Sequence, residues 1–181
     1  MITNKEIEFK CAISEEKYYE LISKYNLKNV VFLQTNFYFD DENLTLLSDK
    51  LVLRIRKKND VYKLTMKSQI EDACYERHYL IPTTKAEELL KYGFNVDEYF
   101  DVPLFVKHRA TLENYRASFS YLDGRMFFDR SVYNGIIDYE IEYEALDANH
   151  GKEQFFMFLK LENIEFLPSR KKSDRALKKE K

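Results

Sequence analysis

The chain has 181 residues, 45% of them hydrophobic and 15% aromatic, enough for one large domain with a sizeable core. Its 29 Lys and Arg stand against 31 Asp and Glu, so a net charge of -2 gives no bulk attraction to nucleic acid or an anionic membrane, and any charge effect must be local. Four glycines form neither a P-loop nor a GxGxxG turn, the three histidines (His78, His108, His150) form no HExxH, and Cys11 and Cys74 form no CxxC; glycine-cradled nucleotide binding is excluded, the cysteine spacing argues against structural zinc, and both thiols are expected to be reduced and partly buried. No apolar run reaches signal-peptide or membrane-span length, and the expectation is a soluble cytoplasmic protein.

The first predicted element is a strand over Glu6-Ile7-Glu8-Phe9-Lys10, with two carboxylates and an ammonium on one face and Ile7 and Phe9 on the other. Ser14 caps a helix whose apolar stripe is Tyr18, Leu21, Ile22 and Tyr25. Residues 30–40 are rich in β-branched and aromatic types and read as a strand ending in an acidic turn. Residues 51–57 and 61–67 form a hairpin around Lys58-Asn59-Asp60, and 76–81 form a further strand stopped by Pro82. Thr84 with Glu87 predicts a capping box for a second helix ending near Gly93. Strands follow over 104–111 and 116–121, and Asp123-Gly124 turns the chain into a strand over 125–131. A last strand spans 136–145, a helix spans 149–161, and a basic tail runs over 170–181.

Many antiparallel strands with few helices between them, and no composition break, predict a single α+β domain over residues 1–181 built round one closed or nearly closed sheet. Alternation puts Arg54 and Arg56 on one face, and likewise Lys63, Thr65 and Lys67; Asp138, Glu140, Glu142 and Glu144 line up opposite Tyr139, Ile141 and Tyr143. A solvated strand face also carries charge, but it mixes signs. Here the bases cluster on two neighbouring strands and the acids on the first and last, a segregation that favours a site for a highly charged anion with metal ions.

In that order the motifs resemble the triphosphate tunnel metalloenzymes, the CYTH superfamily, in the form of its stand-alone bacterial members. The ExExK hallmark stands as Glu6, Glu8 and Lys10, followed by Tyr38-Phe39-Asp40, the LRIR strand of residues 53–56, a K-x-T-x-K strand, and Phe128-Asp129 leading to the acidic last strand. The resemblance implies a closed eight-stranded antiparallel tunnel with flanking helices that binds a triphosphate with a divalent metal. Arg54 and Arg56 can offer planar forks to phosphate oxygens, and Lys10, Lys63 and Lys67 point charges. Glu6, Glu8, Glu140 and Glu142 supply hard oxygen ligands suited to Mg²⁺ or Mn²⁺. The resemblance further implies substrate-binding roles for Arg109 and for Lys172, although the family places Ser or Thr just before its C-terminal lysine and this chain has Arg170-Lys171-Lys172-Ser173. Glu76 matches a fifth-strand acid but lacks the R-x-E context, so it and His78 are left outside the expected site, and Tyr38 is read as packing.

The expected activity is a metal-dependent triphosphatase acting on inorganic triphosphate, thiamine triphosphate or a nucleoside triphosphate, with Glu6, Glu8, Arg56 and Glu142 at the reacting centre. The alternatives are an adenylyl cyclase on the same scaffold and a non-catalytic module that binds polyphosphate or a nucleotide. The expected partner is a small-molecule triphosphate, with no nucleic acid or membrane.

Overall fold

The structure, a computed structural model, describes residues 2–70 and 73–178, with no side-chain description for residues 2–5, 70 and 73. Those residues form ten strands and five helices, an α+β fold in which the strands pair antiparallel wherever their register is resolved. In chain order they are β1 (Ile2–Glu6), β2 (Glu8–Ile13), α1 (Glu15–Lys24), β3 (Phe32–Asp40), α2 (Thr45–Ser48), β4 (Leu51–Lys58), β5 (Val61–Ile70), β6 (Ala73–Ile81), α3 (Thr83–Tyr92), β7 (Phe94–Asn95), β8 (Phe105–Tyr121), β9 (Gly124–Tyr133), β10 (Ile136–Glu144), α4 (Ala148–Leu161) and α5 (Lys172–Leu177).

The described residues divide into two compact units, one holding residues 2–5, Gln34–Glu113 and residues 171–178, the other holding Glu6–Leu33 and Asn114–Arg170. In the first unit the strand order is β1-β6-β5-β4-β3-β8, with β7 paired to β8. Its apolar cluster joins Phe39, Leu53, Ile55, Leu64 and Met66 of the sheet to Ala86 and Leu89 of α3. In the second unit the order is β8-β9-β10-β2. There Tyr18, Leu21 and Ile22 of α1 and Phe155, Phe158 and Leu159 of α4 cover Cys11, Ala117, Phe128, Ile141 and Tyr143.

Several predicted elements form as expected, and the departures have local causes. Ser14 Oγ accepts from the Lys17 N–H at 3.2 Å and caps α1. The single strand expected over 6–10 is broken at Ile7, whose carbonyl accepts from the Ala145 N–H at 2.9 Å beyond the β2–β10 ladder. Conversely, the strands expected over 104–111 and 116–121 are one, because Ala110, Leu112, Asn114 and Arg116 are alternately buried without a Gly or Pro to interrupt them. The Thr84 capping box does not form: Pro82 is the N-cap, its backbone extended, and Thr84 falls inside the first turn. The acidic turn after β3 is itself a cap. Asp40 accepts from the Leu46 and Leu47 N–H groups, each at 3.0 Å, and Asp41 accepts from the Thr45 N–H at 2.8 Å, fixing α2. Asp147 caps α4 through the Asn149 and His150 N–H groups at 2.9 Å, and part of the basic tail is helical as α5. Cys11 is buried and Cys74 half-buried, and the two are not joined in a disulfide.

Candidate functional site

The two units each carry a charged sheet face. In the first, antiparallel register sets Arg54 opposite Thr65, Arg56 opposite Lys63, and Lys67 opposite Glu76, with Asn36 of β3 opposite Arg56. Lys63, Arg54 and Lys67 all converge on Glu76. Its Oε1 lies 3.0 Å from Lys63 Nζ, and its Oε2 lies 3.3 Å from Lys67 Nζ and 3.6 Å from Arg54 Nη2. Burial alone would raise the Glu76 carboxyl, but Arg54, Lys67 and Lys63 together hold it well below the usual carboxylate range. His78 Nδ1 is 3.5 Å from Glu76, and burial with the nearby Lys63 ammonium pushes the His78 imidazole pKa down, favouring its neutral form.

The same face leaves hydrogen-bonding capacity unspent. Arg56 Nε donates to Asn36 Oδ1 at 2.9 Å, but Asn36 Nδ2, Arg54 Nε and the Thr65 hydroxyl are buried with no hydrogen-bond partner. Buried donors without acceptors are rare and costly, and three on adjacent strands of one face suit an anion with several oxygens. Arg109 lies on β8, exposed; His108 beside it meets the Phe37 ring edge-on and the Phe39 ring at a tilt, so alternation turns Arg109 to the opposite face from that apolar cluster. Lys172 opens α5 and is half-buried.

In the second unit, Asp129 of β9 and Glu140 and Glu142 of β10 are buried, and one carboxylate oxygen from each lies within 4.8 Å of the others. Register explains the cluster: Asp129 is directly opposite Glu140, and Glu142 is two residues along the same strand face. The charges are partly answered within the unit. Arg116 holds Asp129 bidentately at 2.7 and 2.6 Å and also bonds Glu142. Ser169 Oγ donates to Glu140 at 2.5 Å. Lys10 pairs with Glu8 at 3.0 Å and Glu142 at 3.1 Å, and these two carboxylates outweigh the burial that would lower its pKa, so the ammonium is firmly held. Arg116 is likewise fixed in its charged form by Asp129 and Glu142 against the effect of burial. Glu144 is pushed up, first by desolvation and then by Glu6, Glu142 and Glu8.

Of the expected residues, the structure brings Arg54, Lys63 and Lys67 together round Glu76, with Arg56 on the same face, and brings Glu140 and Glu142 together with Asp129. Lys10 stands among carboxylates in the second unit, and Glu6 and Glu8 lie in that unit without joining the three-carboxylate cluster. Sequence reasoning left out Glu76, Asn36, Arg116, Asp129 and Ser169. A signal for Asp129 and Arg116 was present: each is a charged residue at an alternating position in an aromatic-rich strand, Phe127-Phe128-Asp129 and Tyr115-Arg116. Three hard carboxylate donors in a buried cluster fit a small divalent cation such as Mg²⁺ or Mn²⁺, and with no His or Cys among them the set does not favour zinc.

Known proteins repeat this arrangement of sequence and fold. The profile of the CYTH domain matches residues 4–177. YjbK of Bacillus subtilis, named as a candidate triphosphatase, is 29% identical over 184 residues, covering 96% of this chain and 93% of that protein. A crystal structure from Bacillus halodurans, described as a candidate adenylate cyclase, superposes with a TM-score of 0.88 at 32% identity, covering 97% of this chain and 98% of that one. The Hippeastrum protein HpAC1, whose description gives it a dominant triphosphatase activity, shares the fold with a TM-score of 0.72 at 23% identity, covering 93% and 92% of the two chains. With a family match over nearly its whole length, the chain belongs to the CYTH-domain family.

Proposed function

We propose that this chain is a divalent-metal-dependent triphosphatase. The observation that carries the reading is the set of buried, unpartnered donors beside Arg56, Lys63 and Lys67: Arg54 Nε, Asn36 Nδ2 and Thr65 Oγ1 await acceptors that a phosphate group has in number. The candidate-triphosphatase relative and the buried carboxylate cluster support the same reading.

In this reading Arg54, Arg56, Lys63 and Lys67 bind the phosphate oxygens and neutralise charge that develops on them as water attacks the terminal phosphoryl group, with Lys10, Arg109 and Lys172 contributing further positive charge. Asp129, Glu140 and Glu142 would hold Mg²⁺ or Mn²⁺, with Glu6 and Glu8 as additional carboxylates. When bound, the metal supplies Lewis-acid charge to the phosphate oxygens and lowers the pKa of water. Five carboxylates and a triphosphate of about -4 need roughly nine positive charges, which two divalent ions and several basic side chains provide.

The architecture proposed is the closed tunnel. The hydrogen-bonded strand order begins with β1 and ends with β2, which only Ile7 separates in the chain. Counted as one interrupted strand, with β7 set apart, they reduce the nine positions of that order to eight strands, the same segment standing at both ends. The family match over residues 4–177 supports a single domain, and a cytoplasmic location belongs to the same proposal.

The test is phosphate release from triphosphate, thiamine triphosphate, ATP and GTP with Mg²⁺ or Mn²⁺, with cyclic AMP measured alongside. Metal-dependent phosphate release is expected. Cyclic AMP with pyrophosphate would make the chain a cyclase, and metal-free binding without turnover a binding module.

A further inference from the structure

The second unit contains a cavity of about 640 Å³ whose lining includes Tyr18, Tyr19, Lys28, Asn29, Tyr115 and Arg130. It is separate from the carboxylate cluster: Asp129 and Arg130 are consecutive on β9, so their side chains leave opposite faces of the sheet. Tyr18 and Ile22, which line it, pack in the apolar cluster under α1. Its volume falls in the range of roughly 300–1,000 Å³ typical of small-molecule sites.

The lining defines the chemistry of a ligand. Lys28 and Arg130 are its charged residues, and no Asp or Glu is among the described residues that line it. The Arg130 guanidinium sits 5.1 Å from the centroid of the Tyr115 ring and is hydrogen-bonded to the Tyr139 hydroxyl, which donates to Glu15 at 2.6 Å. Held from two sides, Arg130 still has a buried Nε with no hydrogen-bond partner. An oxyanion would satisfy that donor and bring a counter-charge. Tyr19, 50% exposed and edge-on to Tyr18 at 5.2 Å, offers aromatic surface that a bare inorganic anion would leave uncovered. A neutral ring could at best offer Nε a ring-nitrogen acceptor and would bring no counter-charge.

We propose that this cavity binds a small planar aromatic anion, its acidic group on Arg130 and Lys28 and its ring against the tyrosines. A phosphate and a carboxylate satisfy the same donors, so the test carries both. Titration calorimetry on the full chain in EDTA, with adenosine 5′-monophosphate and with anthranilate, should give saturable binding of at least one. Adenosine and ribose 5-phosphate, which lack the anion and the ring respectively, should bind at least about tenfold more weakly. Arg130→Gln should weaken binding about tenfold or more. Lys28→Gln, an exposed change that the fold tolerates, should weaken it by about threefold. Arg54→Ala should leave it unchanged. The proposal is overturned if neither ring-bearing anion binds, if adenosine binds as tightly as its monophosphate, if Lys28→Gln and Arg130→Gln both leave affinity intact, or if Arg54→Ala abolishes binding.

Discussion

Glu76 and Glu140 show how a charge's neighbours decide what its removal does. Glu76 collects Arg54, Lys63 and Lys67, and its pKa lies below the 4.5 of an unperturbed glutamate. A depressed folded-state pKa gives stability that is complete above the unfolded value and is lost as pH falls through the folded one. The thermal midpoint of the native chain should therefore exceed that of Glu76→Gln by a constant margin at about pH 6 to 8, and the margin should shrink below about pH 4. A margin that is flat down to pH 2 to 3 would contradict this assignment. The three cations left without a carboxylate in that variant should also make added sulfate more stabilising than in the native chain, which a melting series against sulfate would measure. Glu140 accepts from the Ser169 hydroxyl, a bond that glutamine can keep. Glu140→Gln should lose Mg²⁺ or Mn²⁺ binding by calorimetry and at least about a hundredfold in kcat, the equivalent of about 2.7 kcal/mol in the barrier. Native metal affinity in this variant would remove Glu140 from the metal set. Glu142→Gln is the less clean probe, because Lys10 and Arg116 both rely on Glu142 and the fold pays for their loss.

At the level of elements, the caps and close approaches hold the charged strands in place. Asp147 takes two backbone N–H groups at the start of α4, the helix whose Phe155, Phe158 and Leu159 cover one apolar cluster. Asp147→Ala should lower the midpoint of urea denaturation with an unchanged m-value. Gly124, where the turn after β8 enters β9, has no room for a side chain: a Cβ there would lie 2.3 Å from the Glu144 carbonyl and 2.6 Å from the Tyr143 ring. Gly124→Ala should therefore destabilise the chain more than Asp147→Ala does, because the clash is with backbone in the β9–β10 ladder. It should also disturb the carboxylates of β10, so its effect on metal binding should exceed that of the cap variant at equal loss of stability. Equal metal affinity in the two variants would separate the turn from the metal set.

For the whole molecule, the proposed function makes a thermodynamic demand. If one bound complex uses both the basic set and the acidic set, triphosphate and metal must bind cooperatively, and each must tighten the other by the same factor. Thermal shifts with triphosphate and Mg²⁺ together should exceed the sum of the separate shifts; ligand at about 100 times its Kd contributes about 2.7 kcal/mol. Additive shifts would mean two independent sites and would sink the tunnel reading.

Local chemistry carried much of this chain's design. The Ser14 cap, the hairpin from residue 51 to 67 and the alternation of Arg54 with Arg56 depend on neighbours a few residues away, and all are legible in the sequence. So was the segregation of bases and acids onto separate strands, since strand periodicity alone assigns faces. What the sequence could not decide was partnership between distant strands. Glu76 lacked a familiar local context, yet pairing of β6 with β5 sets it among three cations; Asp129 meets its carboxylate neighbours only because β9 pairs with β10 opposite Glu140. Lys10 shares a motif with Glu6 and Glu8, but only part of what fixes its charge is local: beside Glu8 it pairs with Glu142, more than a hundred residues away in the chain. Faces follow from local geometry, whereas the energy of a buried charge depends on which opposite charge the register brings within about 4 Å, and only the tertiary structure sets that.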